Sequence, residues 1–167
     1  MKNIYTVYGI RFKKIKIEMF EKVYTMTDYY DGPRRGVTSF QGKPHLYESR
    51  FSNIGGKTED SFFLMPIAFD VFELALEDWD IWLRWEKAFH QGLTSADTHP
   101  ALAEDTSRYL WLKQELKSLL VLDMSITFCA TALFQIFKEQ EDNVLMVEWT
   151  IVSCTDYPDN RRLVDFY

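Results

Sequence analysis

The stretch Ser125-Ile126-Thr127-Phe128-Cys129-Ala130-Thr131-Ala132-Leu133-Phe134-Gln135-Ile136-Phe137-Lys138 decides the fold. Its length and apolar content would suit a buried helix. Its even positions, however, place Ile126, Phe128, Ala130, Ala132, Phe134 and Ile136 in one unbroken apolar row, and a period of two belongs to a strand. Its β-branched residues point the same way. Val144 to Cys154 repeats the alternation through Leu145, Val147, Trp149 and Ile151, across the polar turn Gln140-Glu141-Asp142-Asn143. The two segments are therefore expected as an antiparallel pair. Facing both apolar rows inward predicts Phe134 opposite Trp149, with Cys129 opposite Cys154 on the outer face.

Upstream the period changes. Phe69, Phe72, Leu76, Trp79 and Leu83 fall at steps of three and four before a stop at Gly92, which predicts a long amphipathic helix. A second helix begins near Glu104, with Asp105 in its favourable first turn, and carries Tyr109, Leu112, Leu116 and Leu119 inward. Between the helices, Thr94 to Ala103 is a Pro-containing loop.

The first part of the chain reads as strands. Ile4 to Phe12 alternates, and Phe20 to Thr27 is β-prone. Gly36–Phe40 and Pro44–Phe51 flank Gln41-Gly42-Lys43 and predict a hairpin. Ser52 to Asp60 reads as a loop and Ser61 to Ile67 as a short strand. The order is strands, two helices, then a strand pair, so the expected fold is α+β: a largely antiparallel sheet with two helices packed on one face.

Size and composition bound the rest. A chain of 167 residues, 47% hydrophobic and 16% aromatic, is expected to be a single domain with a substantial core and is not a disordered chain. A net charge of −6 and a pI near 5.1 argue against non-specific nucleic-acid binding. Residues 1–18 hold five basic residues against Glu18, a balance of +4 that leaves −10 for the remainder. That stretch reads as a solvated strand or as a peripheral N-terminal extension, with Met19 an alternative start. Neither a membrane span nor an apolar secretory segment is recognised, and Cys129 and Cys154 are too few for a disulfide scaffold. The expected setting is a reducing cytoplasm with both thiols free.

The most polar, turn-rich stretch is Asp28-Tyr29-Tyr30-Asp31-Gly32-Pro33-Arg34-Arg35-Gly36, running on to His45 and Glu48. Tyr29, Tyr30, Asp31, Arg34, Arg35, His45 and Glu48 are its candidate binding residues. An imidazole beside carboxylates can serve as a general base, so His45 with Asp31 or Glu48 is the one candidate catalytic group. The bland alternative is a capped turn followed by a surface hairpin. Arg34-Arg35 beside Tyr29 and Tyr30 could cradle an anion or stack on a planar ligand. His45, His90 and His99 are scattered without metal-ligand spacing, so no metal or cofactor is expected. Gly56-Lys57-Thr58 resembles the end of a phosphate-binding loop, but the first glycine of that motif would fall on Phe51, so the match fails. Trp79, Trp82 and Trp85 recur every third residue. They read as core packing or as an aromatic wall for a partner, with Trp82 and Trp85 as contact residues and Asp78, Asp80 and Arg84 as its rim.

Asp28 to Glu48, Glu77 to Trp85 and His99-Pro100-Ala101-Leu102 together resemble a group of small hypothetical bacterial proteins. The likeness covers about the middle half of the chain and implies no activity and no site. The functional expectation is a non-catalytic binding protein of the bacterial cytoplasm that neutralises a basic partner such as a toxin. The alternative is a small acid–base enzyme acting on a polar small molecule through His45. Partner expectations are an unknown protein or a small polar ligand, with neither nucleic acid nor membrane.

Overall fold

The computed structural model describes residues 6, 7, 10, 11, 20–30, 32–50, 61–139 and 142–154. Its strands are β1 (Thr6–Val7), β2 (Ile10–Arg11), β3 (Glu21–Lys22), β4 (Asp28–Tyr29), β5 (Pro33–Phe40), β6 (Lys43–Arg50), β7 (Ser61–Pro66), β8 (Phe128–Glu139) and β9 (Asp142–Val152). The helices are α1 (Phe69–His90) and α2 (Thr106–Leu119), separated by a single 3-10 turn at Ala96–Thr98. The fold is α+β. Seven strands form one antiparallel sheet in the order β3-β9-β8-β7-β6-β5-β4. Among the described residues β1 and β2 pair only with each other, Val7 against Ile10, where the sequence predicts a single strand over Ile4–Phe12.

The sheet depends on what the chain does between residues 20 and 30. The amide of Val23 donates to Leu145 O in β9 at 3.0 Å, and the next amide, Tyr24, donates to Val37 O in β5 at 2.8 Å. Thr25 and Thr27 continue along β5, donating to Val37 O and Arg35 O. One irregular segment, which itself contributes the end strands β3 and β4, thus hydrogen-bonds to both β9 and β5, the strands next to each end of the order, and the sheet curls until they meet through it. Glu21 fastens the junction. Its carboxylate accepts from Ser39 Oγ at 2.6 Å and from the Gln41 and Gly42 amides at 2.5 and 3.2 Å. Those last two residues make the β5–β6 turn, at φ 53° and 72°, the left-handed conformation that hairpin turns of this type require.

Curling gives the sheet an interior. Tyr47, Leu64, Ala130 and Val147 are fully buried there. The rings of Tyr47, Phe62, Phe134 and Trp149 meet pairwise, with every centroid separation between 5.6 and 6.3 Å, inside the favourable range for aromatic pairs. The opposite sheet face carries Val37, against which both helices pack through Val71, Ala75, Ile81, Leu112 and Leu116. Two bidentate ion pairs join the antiparallel helices: Arg84 to Asp105 at 2.9 and 3.0 Å, and Arg108 to Glu77 at 2.6 and 2.7 Å.

Three expectations are corrected. The β8–β9 register puts Phe134 opposite Val147 and Trp149 opposite Ala132, a shift of two residues. Such a shift keeps every side chain on its face, so alternation alone does not detect it. Cys129 lies opposite Val152 and is 2% exposed, because the face expected to be outer is covered on this side of the sheet. Its sulfur is bonded to Cys154, with Cα atoms 5.3 Å apart, within the ordinary range for a disulfide; the thiols are not free. On α1, Val71, Ala75, Ile81 and Trp85 are buried, whereas Phe69 and Leu83 are exposed. Leu119 of α2 is also exposed. The loop expected over Ser52–Asp60 lies outside the described residues.

Gly36 reports on the closure directly. A Cβ there would stand 2.0 Å from Thr25 O and 2.9 Å from the Tyr47 hydroxyl. Thr25 cannot retreat easily: its Oγ1 accepts from the Val37 amide at 2.8 Å, and its carbonyl accepts from the Tyr47 hydroxyl at 3.2 Å. Gly36→Ala is therefore expected to cost roughly 3 kcal/mol, the upper range for overpacking, measured by urea unfolding. Gly42→Ala meets no atom within 4 Å and should lose only about 1 kcal/mol, from its positive φ.

Candidate functional site

The β5–β6 hairpin and the turn before it hold most of the residues singled out in the sequence. Thr38 stands opposite His45 and Arg35 opposite Glu48. Because side chains alternate across a strand, His45 points into the curled interior while Glu48 points to the helix side. His45 is 5% exposed. Its Nδ1 lies 3.0 Å from Lys43 O and its ring meets Phe40 edge-on at 5.4 Å. Since a carbonyl only accepts, Nδ1 carries the proton. Glu48 pairs with Arg35 at 3.2 Å, and Arg35 also donates to Leu120 O at 2.6 Å, tying the end of α2 to the sheet. The imidazole and Glu48 do not converge, and Asp31 lies outside the described residues.

Arg34 points inward and is 6% exposed, its Nε donating to Tyr30 O at 2.8 Å. This is a brace for the turn rather than an open anion cradle. Tyr29 and Tyr30 are exposed. Among the described residues the inward Tyr47 is the titratable group most altered by its surroundings: burial, with a smaller contribution from the Asp28 charge, drives its phenol far above its usual range. It remains a neutral hydrogen-bond donor to Thr25 O.

On α1 the tryptophans divide. Trp85 is buried, donates from Nε1 to Thr98 Oγ1 at 3.0 Å, and stacks on Phe89 at 5.1 Å. It anchors the loop after the helix. Trp79 and Trp82 stack on each other at 4.6 Å and 19° and stay half-buried. Hence Trp82 keeps part of its surface exposed, whereas Trp85 is 7% exposed. The two predicted contact surfaces, the Asp28–Glu48 region and the tryptophan helix, are not joined in one constellation.

Asp78 was foreseen as part of a polar rim and instead sits toward the packed side of α1. Its Oδ1 is buried without a hydrogen-bond partner. Burial raises its pKa, opposed by the Lys113 charge on α2. No group of three or more potential metal ligands occurs among the described residues, and no described helix is long and apolar enough to cross a membrane. Comparison with protein-family models, with curated proteins and with solved structures finds no match.

The raised pKa of Asp78 fixes a pH dependence. The folded state holds the proton more tightly than the unfolded chain, so ionised Asp78 lowers stability above its unfolded pKa. The penalty is relieved as pH falls through the folded pKa. Asp78→Asn should raise the Tm at pH 7, with the gain shrinking progressively toward acid. A pH series of thermal melts checks this; an equal gain at all pH values would show that the carboxylate charge is not the cause.

Proposed function

We propose that this chain is a non-catalytic binding protein that engages and neutralises a basic protein partner through α1. The observation that carries this reading is a second apolar stripe on that helix. The row of Phe69, Phe72, Leu76, Trp79 and Leu83 is centred about 120° round the helix from the buried row of Val71, Ala75 and Trp85, at about 100° per residue. Phe69 is 65% and Leu83 39% exposed, Leu76 and Trp79 are half-buried, and Phe72 at the inner edge of the stripe packs on Tyr24 and the helix-side core. Anchors at three- and four-residue steps are the pattern by which helices meet a partner helix or groove.

Charge selects the partner. α1 carries Asp70, Glu73, Glu77, Asp78, Asp80 and Glu86 against Arg84 and Lys87, and exposed Glu73 and Asp80 border the stripe. With a chain charge of −6, the field favours a basic partner and speeds its approach. The stacked Trp79–Trp82 pair adds faces on which cationic side chains can rest. The acid–base alternative is less well supported, because His45 and Glu48 face opposite sides of β6. The setting we propose is the cytoplasm. The Cys129–Cys154 bond weighs against that setting, because Cys154 is exposed and disulfides persist mainly in oxidising compartments.

The test is titration of a lysine–leucine amphipathic peptide, followed by tryptophan fluorescence. Binding should weaken with salt, and Phe69→Asp/Leu83→Asp should reduce it about tenfold or more, as loss of central apolar anchors does. Leu93→Asp, at a 75% exposed position off the helix, should change nothing. Equal binding of a glutamate–leucine peptide, or undiminished binding by the double variant, would overturn the proposal.

A further inference from the structure

We infer that the open end of the curled sheet is a second binding site, one that takes a small, neutral, largely apolar molecule. The interior is filled at its middle by the four packed rings. Toward the turn that follows β4 and the β8–β9 connection this filling stops. A cavity of about 470 Å³ opens there, floored by Phe134 and walled by Met26, Pro33, Ile136 and Leu145. That volume lies in the range of small-molecule sites.

The register explains why apolar groups gather at this end. Phe134 opposes Val147 and Ile136 opposes Leu145, so the inward row of β8 runs on past the point where partners fill the interior. Ile136 belongs to that row yet is 70% exposed, and Tyr29 at the rim is 67% exposed. A branched aliphatic on the inward row is thus left facing water at the cavity.

The lining also sets the charge of the occupant. Tyr29, Gln135 and Asn143 are its polar residues, and none of the described lining residues carries a formal charge. An ionic group placed there would lose hydration against an uncharged lining, and the inward Arg34 beside Pro33 already donates to Tyr30 O. A neutral apolar body can fill the cavity, with one hydroxyl or carbonyl meeting the amides or the phenol at the rim. This site is separate from the α1 stripe and does not depend on it.

The probe is the neutral dye N-phenyl-1-naphthylamine, titrated into the full chain and read by fluorescence. The wild type should bind it saturably at one equivalent, and more tightly than the sulfonated anilinonaphthalene anion. Ile136→Glu should weaken dye binding about tenfold or more, corresponding to roughly 1.4 kcal/mol, and Asn143→Asp should weaken it in the same direction. Both positions are exposed, and circular dichroism melts confirm that each variant folds. Leu93→Glu and Phe69→Asp/Leu83→Asp should leave dye binding unchanged. Absence of saturable binding by the folded wild type, unchanged affinity in both rim variants, or preference for the anionic dye would each overturn the inference.

Discussion

Two consecutive backbone amides hold this structure in its shape. Val23 donates to β9 and Tyr24 to β5, so a single peptide step links the strands next to the two ends of a seven-strand order. An open sheet would leave a row of unpaired donors and acceptors at each end. Here the short, irregular segment from 20 to 30 covers part of both, pairing with β9 at Leu145 to Val147 and with β5 at Arg35 and Val37. The closed curl buries Tyr47, Leu64, Ala130 and Val147 without help from any helix. The absence of a Cβ at Gly36 and the carboxylate of Glu21 on the β5–β6 turn serve the same junction.

That closure shapes what is left for function. Because the curl supplies its own aromatic core, the helices are needed only on the outer face carrying Val37. α1 meets that demand with one side, through Val71, Ala75, Ile81 and Trp85, with Phe72 packed at its edge, and leaves Phe69 and Leu83 exposed beside acidic residues. Curling also produces an interior with an end, and the aromatic cluster does not reach it. The exposed apolar residues of α1 and the cavity are thus two consequences of one architecture. The polar hairpin residues that stand out in the sequence mostly serve it: Arg34 braces the turn and Arg35 links Glu48 to the end of α2.

Local patterns were legible and long-range closure was not. The β5–β6 hairpin could be read from Gln41-Gly42 because turn chemistry is local. The β8–β9 pair could be read from its alternation, but its register could not, since a slip of two residues leaves both faces intact. α1 could be read as a helix, yet its buried side could not be chosen. Phe69, Phe72, Leu76, Trp79 and Leu83 form the more hydrophobic stripe, while the core side includes Ala75 and the partly buried Asp78. Tertiary packing, not hydrophobicity alone, decided between them. Of the candidate site, alternation on β6 already separated His45 from Glu48. The cavity had no sequence signature, because Met26, Phe134 and Leu145 come together only through the seam.

Amide hydrogen exchange along residues 23–27 tests the closure most directly. If the seam is integral, the amides of Val23, Tyr24, Thr25 and Thr27 exchange only through global opening, with the same free energy as the central amides of β6 and β7. Fast exchange at those four positions, while β6 and β7 remain protected, would mean that the sheet is open in solution and would contradict the account.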